Sequence, residues 1–198
     1  MKPLLSILIP TVKERWREFE NLRSNIYAEL NEDGFIREVE ILSICDNKEM
    51  TIGEKRELLY KEANGLYSIQ LDDDDQLSRN AIELILEAIK SNPEVDCVTF
   101  EEYIEIDGVV QRSNHSLKYD DWADRQDGYD YIRTPFMKDV IKTEIARSVP
   151  IPHIRFGEDH EWSKRLKPFL KTEIHINQQL YRYIYKSKPN EDRYGLNK

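Results

Sequence analysis

Cysteine is scarce in this 198-residue chain: Cys45 and Cys97 are its only two, and each sits inside an apolar run. That spacing builds neither a disulfide framework nor a cysteine zinc site, so a cytoplasmic location is expected. No apolar run approaches the ~20 residues that span a bilayer, and no transmembrane segment is expected. The opening run at residues 4–9 is too short for a signal-peptide core, and Pro10 closes it. The four histidines form no i, i+4 pair, which excludes a zinc-protease helix. No GxxxxGK[ST] loop is present, which disfavours phosphoryl-transfer NTPases. The stretch after the first run, Pro10-Thr11-Val12-Lys13-Glu14-Arg15, holds no glycine, which weighs against nucleotidyl transfer on a glycine-rich loop.

What is present is charge and aromatics. Charged residues reach 34%, above the usual ~25%, yet 3 Trp, 11 Tyr and 6 Phe supply a core and argue against disorder. The net charge of −9 is uneven, because residues 161–198 hold nine Lys and Arg against four Asp and Glu. That stretch is either a basic strip for an anionic partner or a solvated, charge-balanced terminus.

The hydrophobic pattern predicts a single α/β domain. Residues 4–9 are apolar but for Ser6, as in a strand buried on both faces. Trp16, Phe19, Leu22, Ile26 and Leu30 recur at helical spacing. Strands are expected at 39–45, 66–71 and 95–100, and helices at 54–63 and 78–90, with Ser78 as an N-cap. This βαβαβαβ order implies a parallel sheet with helices on both faces. Further on, Asp107-Gly108 marks a hairpin. Residues 113–130 read as a long loop, 138–142 as a short strand and 143–147 as a short helix. A helix is expected from Gly157 to about residue 167, and a last strand at 171–176.

Ligands bind outside the carboxyl ends of strands in such sheets. Asp46 ends the second strand, and Asp72-Asp73-Asp74-Asp75 ends the third. Four adjacent carboxylates repel one another unless a cation neutralises them, and their hard oxygens suit Mg2+, Mn2+ or Ca2+. The lesser alternative is a solvated turn favourable to the next helix dipole, since this run ends a buried strand at the ligand edge. An EF-hand register places Leu77 where the loop needs glycine, so that match is accidental.

Three blocks together carry a resemblance. Ser6-Ile7-Leu8-Ile9-Pro10-Thr11 resembles the opening strand of the family-2 glycosyltransferases of GT-A (Rossmann-like) fold. Gly53-Glu54-Lys55-Arg56, then Ala63-Asn64-Gly65-Leu66-Tyr67 leading through an apolar strand into the tetrad, is similar to that family's Lys-Arg pair and DxD block. Gly157-Glu158-Asp159 resembles its later acidic motif.

The resemblance implies a metal-dependent, inverting transfer of one sugar from a nucleotide-sugar donor, UDP-sugar favoured, with Mn2+ or Mg2+ as cofactor. Residues 1–100 would form the donor half and 101–198 the acceptor side. Asp74 would ligate the metal, with Asp72 facing ribose and metal and Asp73 beside them; His175 or His153 would be a further metal ligand. Pro10 and Thr11 would border the base and Asp46 accept from it. Lys55 or Arg56 would reach phosphates or ribose, or else lie on an exposed helix face. Asp159 would be the catalytic base, with Glu158 as second choice.

The acceptor is open: a glycan, a small molecule, or a hydroxymethylated DNA base. The nucleic-acid variant is motivated by Tyr181-Arg182-Tyr183-Ile184-Tyr185-Lys186-Ser187-Lys188, basic with interleaved aromatics. Trp122 with Tyr119, Tyr129 and Tyr131 would either stack on a sugar or base or, the more usual fate of such aromatics, pack onto the core. The rival reading is a nucleotide-sugar-binding pseudoenzyme without turnover.

Overall fold

Leu5, Ile7 and Ile9 belong to one hydrophobic cluster and Leu8 to another, so the first strand is buried on both faces. The computed structural model describes residues 2–185. In chain order these form β1 (Leu5–Val12), α1 (Trp16–Glu32), β2 (Val39–Asp46), α2 (Ile52–Glu62), β3 (Tyr67–Gln70), β4 (Gln76–Leu77), α3 (Ala81–Ser91) and β5 (Cys97–Ile106). There follow β6 (Val109–His115), β7 (Ala123–Gln126), β8 (Tyr129–Arg133), β9 (Val140–Lys142), α4 (Thr143–Ser148), α5 (Glu158–Leu166) and β10 (Glu173–Tyr185).

The strands make one sheet in the order β2-β1-β3-β9-β5-β6-β8-β7, with β10 alongside β5 and β4. β1 pairs in parallel with both β2 and β3, so the carboxyl ends of all three open toward the same edge. Helices cover both faces. Phe19, Ile26 and Leu30 of α1 and Ile82, Ile85, Leu86 and Ile89 of α3 join the cluster of Leu5 and Ile7. Leu59 and Tyr60 of α2, Ala146 of α4, and Trp162 and Leu166 of α5 join that of Leu8. The start of α2 is set by a capping box, Thr51 and Glu54 bonding each other's backbone N–H.

Four details depart from the sequence expectation. The short antiparallel β9 lies between β3 and β5, so the fourth predicted strand is not β3's neighbour. Residues 113–130 are not one loop: β6 continues to His115, and β7 forms an exposed hairpin with β8. Its sequence Ala-Asp-Arg-Gln is polar after the first residue, so no alternation betrays it. The last strand runs to Tyr185 rather than residue 176, because two register shifts around Gln179 break its period. Ser78 caps no helix; its N–H donates to Leu180 O at 2.9 Å, and α3 starts at Ala81.

Candidate active site at the carboxyl edge of the sheet

The carboxyl ends of β1 and β3, the N-terminus of α5 and the tip of β10 enclose a cavity of about 390 Å³. Pro10, Thr11, Lys55, Arg56, Asp72, Asp73, Asp74, Glu158 and Asp159 all line it. Most of the residues singled out in sequence therefore converge, across separations of more than a hundred positions. Gly157 makes this convergence possible: its φ of +80° turns the chain sharply into α5, presenting Glu158 and Asp159 in the first helical turn.

The tetrad carries its own counter-ions. Asp72 accepts from Arg56 Nη2 at 2.9 Å. Asp73 is buried, accepting from Thr11 Oγ1 at 2.6 Å and paired with Arg15, which also meets Asp74 at 2.5 Å. Asp75 accepts from Lys138 Nζ at 3.1 Å, the Tyr181 hydroxyl at 2.8 Å and the Ile184 N–H at 3.1 Å. Protein cations thus offset part of the repulsion that the sequence assigned to a metal. Burial pushes Asp73 up to about 6 even with Thr11 and Arg15 opposing it. Burial also opposes ionisation of Asp72, but Arg56 and Lys138 outweigh it and hold that carboxyl below its usual range.

The four acids divide by exposure. The side chains of Asp73 and Asp75 are 3% and 0% exposed, whereas those of Asp72 and Asp74 are 23% and 48% exposed. Among the described residues, no three His, Cys, Asp or Glu side chains gather into a group able to hold a metal ion. A small hard cation needs only one or two carboxylates when substrate phosphates and water complete its shell. Asp72 and Asp74 fit that requirement.

Lys55 and Arg56 do not lie on an exposed helix face; both are buried. Lys55 Nζ donates to Thr11 O at 2.7 Å and pairs with Asp46. Arg56 joins Asp72 to Glu158, donating from Nε to Glu158 Oε1 at 3.1 Å. Burial lifts Glu158 above the usual carboxylate range despite that arginine. Among the described residues no ion pair is made by Asp159, whose Oδ1 accepts from the His160 N–H at 2.8 Å.

Three expectations need correction. Asp46 does not line the cavity: Lys55 and the N–H groups of Lys48 and Met50 occupy its carboxylate. Burial opposes these donors, yet they bring Asp46 down to about 2. His175 lies on β10 with its Nδ1 3.0 Å from Thr99 Oγ1, and neither residue lines the cavity; His153 meets Glu57 at 3.1 Å. The basic aromatic segment is built into the sheet over 181–185. Tyr181 is 1% exposed and cannot stack on a base, and Arg182 pairs with Glu105. Lys186, Ser187 and Lys188 lie outside the described residues. Trp122 likewise packs inward against Phe136, His160 and Arg133.

Sequence reading missed Arg15, Arg155 and Phe156, which also line the cavity, as do Tyr183 and Tyr185, which it assigns to a nucleic-acid strip. It also missed a buried chain beneath the tetrad. Lys138 Nζ bridges Asp75 and Glu102 at 3.1 Å each, and Glu102 Oε2 lies 3.2 Å from His115 Nε2. His115 Nδ1 in turn lies 3.0 Å from Asp139. Burial disfavours the imidazolium, but Asp139 and Glu102 raise His115 to about 9. Only Arg15 left a signal in sequence, as a cation within one turn of a strand's carboxyl end.

No family model and no curated protein matches this chain. Solved structures do. S. aureus TarS 1-349 superposes with a TM-score of 0.58 at 12% identity, over 93% of this chain and 60% of that one. Its complex with UDP-GlcNAc gives 0.58 at 11% identity, over 96% and 60%. The mannosyltransferase PcManGT from Pyrobaculum calidifontis, in complex with GDP-Man and Mn2+, gives 0.54 at 11% identity, over 92% and 57%. The chain therefore spans about three-fifths of these proteins' length. The likeness establishes the fold, an α/β sheet of GT-A type flanked by helices.

Proposed function

We propose that this chain is a divalent-cation-dependent glycosyltransferase that moves one sugar from a nucleotide-sugar donor to an acceptor hydroxyl. The observation that carries the reading is the cavity itself. It joins the two open carboxylates of the tetrad, Asp72 and Asp74, to the α5 carboxylate Asp159 at the ligand-binding edge of a GT-A-type sheet. The ligands named for the solved relatives, UDP-GlcNAc and GDP-Man with Mn2+, support the donor class.

In this reading Pro10 and Thr11 border the nucleobase, and Lys55 holds the Thr11 carbonyl so that the end of β1 keeps its shape. Asp72 and Asp74 would hold Mn2+ or Mg2+, whose Lewis acidity offsets the negative charge developing on the departing diphosphate. Arg56, fixed by two carboxylates, positions Asp72 relative to α5. Asp159 accepts the proton of the acceptor hydroxyl as that oxygen attacks the anomeric carbon, while the bond to the diphosphate breaks and its electron pair leaves with it. Glu158 is the weaker candidate for base because Arg56 already occupies its carboxylate. Attack from the face opposite the diphosphate makes the reaction inverting.

The test is release of nucleoside diphosphate from UDP-, GDP- and TDP-sugars, with Mn2+ and with EDTA. One metal-dependent signal, lost in Asp74→Asn, is expected. Silence across the panel combined with no metal-dependent nucleotide binding would sink the reading. Turnover unchanged in Asp159→Asn would remove the base assignment, whereas nucleotide binding without sugar release, unchanged by Asp159→Asn, would favour a binding module.

A further inference from the structure

Arg15 stands in the 3-10 turn Lys13–Arg15 that follows β1, where its guanidinium contacts Asp73 and Asp74 together. It borders the donor cavity and also a second cavity of about 830 Å³ that shares Asp73 and Asp74. Asp74 is the most open carboxylate of the tetrad, so the acid best placed to receive a divalent cation already carries a protein cation. Two cations on one carboxylate repel each other, and metal entry must displace or weaken the arginine.

The chain offers the metal little else. Asp72 is engaged by Arg56, and no three-residue ligand group exists among the described residues. A nucleoside diphosphate changes both sides of that balance. Its oxygens complete the metal's shell, and they are also acceptors for a guanidinium that has lost its carboxylates. Resting on the donor site proposed above, we infer that Arg15 is the resident counter-ion of Asp74 and competes with the metal. Cation and diphosphate consequently bind cooperatively, each favouring release of Arg15 from the tetrad. The coupling is reciprocal by thermodynamic necessity. Arg15 is thus a positioning residue whose effect is read in metal affinity, with no turnover required.

The experiment titrates Mn2+ into the protein, followed by its electron paramagnetic resonance signal, with and without UDP or GDP. Wild type should bind Mn2+ alone weakly and at least about tenfold more tightly with the matching nucleotide. Arg15→Gln should bind Mn2+ alone about tenfold more tightly than wild type, a difference of about 1.4 kcal/mol, and gain less from nucleotide. Arg15→Lys, which keeps the charge, should fall between the two, and adding Asp74→Asn to Arg15→Gln should abolish the gain. An Arg15→Gln protein that binds Mn2+ alone no more tightly than wild type overturns the inference. That arm contains no nucleotide, so its failure is distinct from failure of the donor site. The latter would show as no effect of UDP or GDP in any variant, and would overturn the coupling.

Discussion

Replacing Lys138 with methionine tests whether the buried chain beneath the tetrad holds the acidic turn in place. The Lys138 ammonium lies 3.1 Å from both Asp75 and Glu102, and 4.6 and 4.0 Å from the ring centres of Tyr181 and Tyr183. Methionine keeps much of the stem volume but leaves two buried carboxylates without their shared cation. Breaking a buried pair in this way costs about 3–5 kcal/mol. Against a typical total of about 5–15 kcal/mol, that is a large share. In a domain of this size it corresponds to a melting point lower by about 6–20 °C. The loss should also depend on pH. In wild type, burial opposes ionisation of Glu102, but Lys138 and His115 hold it down at about 2. That depressed value contributes stability above the usual carboxylate pKa of ~4.3, and the contribution is lost as pH falls toward 2. Without Lys138, burial lifts Glu102, and the same group costs stability at high pH. The penalty is therefore largest at pH 8 and smaller at pH 5. Urea unfolding followed by tryptophan fluorescence at the two pH values measures it. A loss below about 1 kcal/mol, or an equal loss at both, would refute the reasoning.

Three further outcomes are expected. His115 carries a raised pKa of about 9 against the usual ~6.5 for histidine, so its contribution is full below pH ~6.5 and is lost as pH rises through 9. Wild-type urea stability should fall by about 3 kcal/mol across that window, and His115→Gln should flatten the profile. Gly53 packs against the Pro152 carbonyl so closely that a Cβ would overlap it. Gly53→Ala should cost about 1–3 kcal/mol in thermal unfolding, by prising away the segment that leads to Gly157. Phe156 lines the cavity yet is 85% exposed. Phe156→Ala should leave stability within about 0.5 kcal/mol of wild type while weakening ligand affinity about 2–10-fold by calorimetry.

The burial of Tyr181 and Lys138 has a consequence for how the C-terminal half serves the site. Tyr181 donates to Asp75 Oδ2 and accepts from the Asp72 N–H at 3.2 Å, so β10 grips the tetrad at both ends. A segment that looks like a nucleic-acid strip in one dimension supports the acidic turn through Tyr181 and the Ile184 N–H, while Tyr183 and Tyr185 border the cavity.

How much of this is legible along the chain follows from the range of the forces involved. The largely apolar runs at 4–9 and 66–71, interrupted only by Ser6, Ser68 and Gln70, read as strands covered on both faces, because their backbone must pair and most of their side chains must leave water. Pro10-Thr11 and the tetrad, at the ends of those runs, are therefore placed at the ligand edge by local pattern alone. The fates of the charged groups are different. Asp75 meets Lys138 and Tyr181, Arg56 meets Glu158, and Arg15 meets Asp73 and Asp74, all across sequence gaps that no periodicity marks. A carboxylate's partner depends on which cation the folded backbone brings within about 4 Å, where attraction outweighs desolvation. Hydrophobic alternation sets where the acids stand; the packing of distant segments sets whether each stays open for a ligand or is already spoken for.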